Sequence, residues 1–384
     1  MKFESKLPTV GTTIFTVMSQ MANETGAINL SQGFPDFEPP AVLLDMVEKY
    51  LKSGHNQYPP MMGIAYLREQ IAAKMQKSYA VEVDPDVEIT VTSGATEALF
   101  VAIQTVVRSG NEVIVFDPAY DSYEPSVTLA GGKTIHVPLS SPDFQIDFDR
   151  LESAISSKTR LIIVNSPHNP SGSVFSRQDV DKLAELTRNH ELFFLSDEVY
   201  EHMIFDGASH VTLLANEELR QKTFVVSSFG KTYHATGWKI AYCIAPGEMT
   251  QEFRKIHQFV TFTTHTPTQW AIAEYMDHYP EHYLDLPKFY QSKRDVFNSA
   301  MEDSGFRLKP SAGTYFQLAD YSALSDMNDR DFSIYLTREI GVAAIPISAF
   351  YESPPDDRIV RFCFAKQDST IIEAANMLCG IPRR

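Results

Sequence analysis

The chain has 384 residues, with 33 Lys and Arg against 49 Asp and Glu and a formal net charge of -16. That balance offers no basic excess to displace counterions, so nucleic acid is not expected as a partner, and an anionic substrate must be met by a few locally placed cations. No stretch approaches 18 apolar residues and residues 1–6 carry no apolar run behind their charges, so neither a membrane partner nor a leader is expected. Three cysteines, Cys243, Cys363 and Cys379, lack metal-type spacing and form no even set. They predict a reducing, cytoplasmic setting without a metal centre. The length exceeds that of a single core and predicts a large domain plus a smaller one.

Residues 1–40 are punctuated by Pro8, Gly11, Gly33, Pro35, Pro39 and Pro40 around one apolar stretch, 13–21, and one strand-like run, 27–30. An arm that packs on something else is expected, with a turn at Gly33-Phe34-Pro35-Asp36 where Gly33 lets backbone approach a ligand. Helices are predicted over 41–51 and 65–77, separated by a Pro- and Gly-rich loop that carries Tyr58. From residue 88 the pattern becomes regular. Strand 89–92, the turn Ser93-Gly94-Ala95-Thr96 and helix 97–107 aim free backbone N–H groups outward, a ready phosphate site. Strands at 112–116, 134–137, 160–164, 192–195, 223–226 and 240–245 then alternate with helices at 148–156 and 177–190. This alternation predicts an α/β fold with a mostly parallel sheet covered on both faces.

Ligands of such sheets bind beyond the carboxyl ends of the strands. There the sequence places the Gly94–Thr96 turn, Tyr120, Asn169, Asp197 with Tyr200, and Lys231. Lys231 leaves strand 223–226 among small residues and hydroxyls, placed to be desolvated and to act as an amine nucleophile toward a carbonyl. A phosphate nest, an aromatic face, a carboxylate, hydrogen-bond donors and a lysine are together what pyridoxal 5′-phosphate requires. Beyond residue 246 come helices at 251–260, 267–279 and 283–304. Strands at 306–310, 314–318, 342–345 and 360–364, with helices at 330–339 and 370–378, form the smaller α+β unit. Arg361, inside the apolar run Val360-Arg361-Phe362-Cys363-Phe364, must find an anion to be tolerated there. The boundaries expected are 1–40 for the arm with part of the small domain, 41–285 for the large domain and 286–384 for the small C-terminal domain.

Read in order, Ser31–Asp36, Asn56-Gln57-Tyr58, Ser93–Leu99, Asn165–Gly172, Ser196–Tyr200, Ser228–Lys239 and Arg361–Phe364 resemble the class I aminotransferases of the fold type I pyridoxal-phosphate enzymes. The likeness is strongest to the methionine and kynurenine–glutamine branch. It implies that Lys231 is the Schiff-base lysine, that Asp197 partners the pyridine nitrogen, that Asn169 and Tyr200 contact O3′, and that Tyr120 stacks on the ring. It implies a phosphate site at Gly94, Ala95 and Thr96 with Ser228 and Lys239 beside it, and Tyr58 reaching in from the other subunit of a homodimer. Arg361, with Gly33 and Asn169, is implied as the clamp on the substrate α-carboxylate. The chain departs from the pattern at Lys239, where other branches place arginine, and at Thr264-His265, where kynurenine-handling relatives place a bulky aromatic before the histidine.

The implied activity is ping-pong transfer of an amino group from an amino acid to a 2-oxo acid. The rivals are a C–S β-lyase on the same fold, whose members typically carry Asp-Glu-Ile-His where this chain has Asp197-Glu198-Val199-Tyr200, and a ligand-sensing regulator, for which no basic extension is present. No arginine lies in the arm around Thr13–Phe15, the Gly33 turn or the Thr264 loop. Methionine and other apolar or aromatic donors are therefore expected, and aspartate is expected to be poor. Asn169-Pro170 is expected to be cis.

Overall fold

The structure is a computed structural model that describes residues 4–384; the first three residues, part of the segment read as lacking a leader, lie outside it. Its centre is a seven-stranded sheet in the order Ile89–Thr92, Ala241–Ile244, Thr223–Ser228, Phe193–Asp197, Thr159–Asn165, Glu112–Asp117, Lys133–Pro138. Only Ala241–Ile244 runs antiparallel to its neighbours.

Helices cover both faces because the strands are apolar at successive positions, which a period-two backbone delivers to opposite sides. Val113, Val115, Leu161 and Ile163 pack with Leu99, Ala102 and Ile103 of helix Ala95–Val106. Their neighbours Ile114, Phe116, Ile162 and Val164 pack on the other face with Val180 and Leu183 of helix Arg177–Asn189. A third cluster joins Ile89, Val91, Val225 and Ile244 to helices Ala41–Lys52, Ala65–Tyr79 and Thr266–His278. Each such side chain, fully buried, contributes about 1.5–3 kcal/mol, so the strand ends above this core are rigidly placed.

The second sheet is four-stranded and antiparallel, in the order Ile345–Pro346, Ile359–Cys363, Phe316–Asp320, Arg307–Leu308. The arm joins it: Ile28–Asn29 pairs in parallel with Val342–Ala343, and Cys363 donates its amide to the Leu30 carbonyl at 2.8 Å. Helix Glu281–Ala300 runs unbroken through position 285, so the expected domain boundary falls inside a helix. No helix among the described residues is long and apolar enough to cross a membrane.

Several elements differ from expectation. The single strand expected at 342–345 is two short strands that pair with different partners on either side of Ala344. The strand expected at 306–310 pairs only at Arg307–Leu308. Helix Tyr123–Leu129 was not expected; at seven residues, with Pro125 and β-branched Val127 and Thr128, it is too short to set up a helical period. The helix expected at 330–339 runs as α-helix over Asp329–Tyr335 and widens into π-helix over Leu336–Ile340.

Candidate active site

Register brings the chemistry together. Asn165 is opposite Asp197, and Asp197 is opposite Val226, two residues before the strand Thr223–Ser228 ends. Lys231 follows on a single helical turn, Phe229–Thr232, rather than on an open loop. These strand ends and the second sheet enclose a cavity of about 250 Å³.

At one end of the cavity, helix Ala95–Val106 starts directly after strand Ile89–Thr92 with no side chain capping it. Gly94 takes φ +86°, and a Cβ there would stand 3.0 Å from Lys239 Cε and 3.1 Å from Nζ. The missing side chain therefore leaves a hollow that the ammonium and the first helical amides share, with Ala95, Thr96 and Ser228 on its wall. Glu97 ties the turn down by accepting from the Ser93 amide at 2.8 Å and lying 2.7 Å from Nδ1 of the buried His257.

In the middle lie Tyr120, Asp197, Tyr200 and Asn169. Burial pushes the Asp197 carboxyl up to about 6, although Tyr123 donates to its Oδ2 at 2.7 Å and Lys231 also favours the ionised form. Asn165 sets the spacing: its amide donates to the Asp197 carbonyl at 2.7 Å and its Oδ1 accepts from the Asn169 amide at 2.8 Å. The Asn169-Pro170 peptide is cis, as expected.

At the other end Arg361 is 1% exposed, its guanidinium 3.8 Å from the centre of the Phe316 ring, with Phe15 and Phe350 beyond. It donates to Asn169 Oδ1 at 2.8 Å and to the Ser31 carbonyl at 3.0 Å, while its buried Nε has no partner. Burial lowers its pKa to about 10, so it remains a cation at neutral pH. Gly33 lines the same end for a reason the sequence did not disclose: a Cβ there would stand 2.8 Å from the Phe316 ring. Between the two ends, Lys231 Nζ donates to Tyr315 Oη at 2.7 Å and to the Gly33 carbonyl at 3.2 Å. Burial, with Arg361 and Lys239 nearby, lowers its pKa to about 8.

Thus all of the expected site residues except Tyr58 line one cavity. Tyr58 is 85% exposed and packs only edge-on against Phe262, ring centres 5.5 Å apart. Sequence reasoning missed Tyr123 and Tyr315, whose partners lie 74 and 84 residues away. The donor set fits pyridoxal phosphate: unpaired helical amides with a cation at one end, a carboxylate beside a desolvated lysine in the middle, and an orphaned guanidinium N–H where a substrate carboxylate would be received.

Residues 25–378 match the family model described as aminotransferase class I and II. The methionine aminotransferase of Escherichia coli (strain K12) is 49% identical over 375 residues, covering 98% of this chain and 97% of that protein. A crystal structure of an Escherichia coli protein with a methionine aminotransferase function superposes with a TM-score of 0.97 at 48% identity, covering 98% and 99% of the two chains. N-succinyldiaminopimelate aminotransferase from Mycobacterium tuberculosis gives a TM-score of 0.96 at 37% identity, covering 99% and 100%. Mouse kynurenine–oxoglutarate transaminase 3 is 36% identical, over 93% of this chain and 85% of its own.

Proposed function

The chain belongs to the class I and II aminotransferases, pyridoxal-phosphate enzymes, and on that premise we propose that it moves the amino group of methionine, and of other apolar or aromatic amino acids, to a 2-oxo acid by a ping-pong route. One observation carries the specificity. The only cations lining the cavity, among the described residues, are Lys231, Lys239 and Arg361. Lys239 lies at the phosphate hollow, Lys231 is the reactive amine, and Arg361 is taken by the α-carboxylate that every amino acid has. Nothing is left for a second carboxylate, and Phe15 and Phe316 offer apolar surface instead. Each buried methylene of substrate gains about 0.8 kcal/mol, while a buried carboxylate without a partner costs far more. With one 2-oxo acid held fixed, kcat/KM for methionine should exceed that for aspartate by at least about 100-fold, equivalent to about 2.8 kcal/mol. Aspartate at parity would sink the specificity and leave the family assignment standing.

In this reading Lys231 would hold the cofactor aldehyde covalently, and the Gly94 turn with the amides of Ala95 and Thr96, the Ser228 hydroxyl and Lys239 would receive the phosphate. Bound pyridoxal phosphate supplies an electron sink that makes the substrate Cα–H acidic. Asp197, ionised and held by Tyr123, keeps the pyridine nitrogen protonated. Tyr120 gives an aromatic face. The Asn169 amide nitrogen and the Tyr200 hydroxyl donate to O3′; Asn169 has that nitrogen to give because its Oδ1 is already the acceptor for Arg361. Arg361 orients the substrate so that its Cα–H faces Lys231, and Lys231, once released, carries the proton.

The active unit in this reading is a homodimer with shared sites in the cytoplasm. Tyr58 and Phe259 are 85% and 84% exposed and Tyr58 leans edge-on against Phe262, exposed apolar surface of the kind that a second copy would cover. Mixing inactive Tyr58→Phe and Lys231→Ala proteins should restore part of the activity, because one hybrid site receives both native residues. No recovery after proven subunit exchange counts against sharing. The three free cysteines support the compartment, which cell fractionation would test. A division into a large unit over 41–285 and a small unit over 286–384 that takes in the arm is supported by the two separate sheets, and limited proteolysis would test whether it falls within helix Glu281–Ala300 or at one of its ends.

A further inference from the structure

Lys231 reaches the cavity from the large sheet, yet both acceptors that hold its amine come from the other side of the molecule. Tyr315 immediately precedes strand Phe316–Asp320, and Gly33 belongs to the arm. The Tyr315 hydroxyl donates its proton to the Gly33 carbonyl, so toward Lys231 it acts only as an acceptor. Its ring is fully buried and packed edge-on against Tyr200 at 5.2 Å and Phe316 at 4.9 Å, leaving the hydroxyl no freedom to swing away. The Gly33 turn is fixed from behind: buried Lys366 donates to the Phe34 carbonyl at 2.7 Å, and Asp36 accepts from the Gln367 amide at 2.6 Å and the Thr370 hydroxyl at 2.9 Å. Lys231 lines the cavity but Tyr315 does not, so their bond runs into the wall, and the face of the nitrogen left by Tyr315 and the Gly33 carbonyl is the one that meets the cavity.

We propose that Tyr315 is the positioning residue for proton transfer by Lys231: it engages one amine N–H from behind and thereby turns the nitrogen lone pair toward the substrate Cα. The inference rests on the transaminase reading above. In the step it serves, the Cα–H bond breaks and an N–H bond forms with the Lys231 lone pair. The C–H electron pair stays with the carbon skeleton and is delocalised into the bound cofactor. The amine, now an ammonium, keeps one N–H on Tyr315 and carries the new proton on its cavity side, from which it is returned.

Tyr315→Phe removes the acceptor and keeps the ring. Misplacing the base should lower kcat about 10- to 100-fold with little change in KM, and should enlarge the primary isotope effect for an α-deuterated donor that the wild type accepts. A second readout needs no cofactor. In wild-type apoprotein, acylation of Lys231 followed by mass spectrometry should be half-maximal near pH 8. Tyr315 as an acceptor favours the protonated amine, so the variant's midpoint should move to lower pH. An unchanged isotope effect and an unchanged midpoint, even with lowered thermal stability, would reduce Tyr315 to a packing residue and overturn the proposal. If Tyr315→Phe does not fold, Lys366→Met loosens the same turn: a lower kcat with a larger isotope effect supports the proposal, and native values of both overturn it. A wild type that exchanges no α-deuterium at all would instead remove the transaminase reading on which this one stands.

Discussion

Two lysines of the large unit, one paired with Glu201 and one lying over the ring of the adjacent Tyr200, differ above all in company. Lys74, on helix Ala65–Tyr79, is 4% exposed and donates to Glu201 Oε2 and to Tyr242 Oη, both at 2.6 Å. Tyr79 and Tyr242 donate to the same carboxylate at 2.6 and 2.9 Å, so the set is closed and internally satisfied. Burial alone would raise the Glu201 pKa, but Lys74, His202 and the phenols hold it well below the usual carboxylate range. Lys231 has a phenol and a carbonyl as partners, and its pKa drops to about 8. The carboxylates mirror this: Asp197, four residues before Glu201 and equally enclosed, has a phenol in place of an ammonium and is pushed up to about 6. Desolvation is common to both pairs; what separates an inert ion pair from a poised acid and base is whether a full counter-charge meets each group.

Substituting each lysine in turn puts this contrast at risk. Lys231→Ala should lower transamination by at least about 10³-fold, with borohydride no longer fixing the cofactor to any peptide, while the fold persists. A borohydride adduct on Lys239 or Lys222 in the wild type would mean the wrong lysine has been chosen. Lys74→Met should do the reverse, costing roughly 3–5 kcal/mol of stability in a denaturant titration because Glu201 is left charged and buried, with kcat close to native. Adding Glu201→Gln should recover part of that loss. A Lys74→Met protein as stable as the wild type would show that the buried pair is not what holds this corner of the fold.

How much of this could be read from the sequence depended on the range of the interaction. The Gly94 turn and the Lys231 position were legible because a strand, a small-residue turn and a helix start are contiguous, and the parallel sheet then gathers such ends on one edge. Arg361 was legible because a cation inside an apolar strand demands an anion. The phenols were not. Nothing around Tyr123 or Tyr315 distinguishes them from the other tyrosines, and their roles come from partners far along the chain. The split at Ala344 was equally hidden, since an apolar run is compatible with either neighbouring strand and only packing assigns the partner.

The smallest expected effect tests the Asp197 half of the comparison. Tyr123 is fully enclosed and its hydroxyl donates to Asp197 Oδ2 at 2.7 Å, stabilising the ionised carboxylate against a burial that otherwise favours the proton. A protonated Asp197 offers a protonated pyridine nitrogen no counter-charge, so cofactor binding should weaken as pH falls through about 6. Tyr123→Phe takes away the donor and keeps the ring against Tyr120. The carboxyl pKa then rises further, and the decline in affinity should begin at a higher pH than in the wild type. A hydrogen bond to a charged group is worth about 1.5–3 kcal/mol, so reloading the apoprotein near pH 6 should require at least about 10-fold more cofactor, with a smaller difference near pH 8 where Asp197 is ionised in both. Reloading curves followed by the absorbance of the bound cofactor would measure this. Curves that coincide at both pH values would mean that Tyr123 does not tune Asp197, and that burial and the bound cation alone decide its charge.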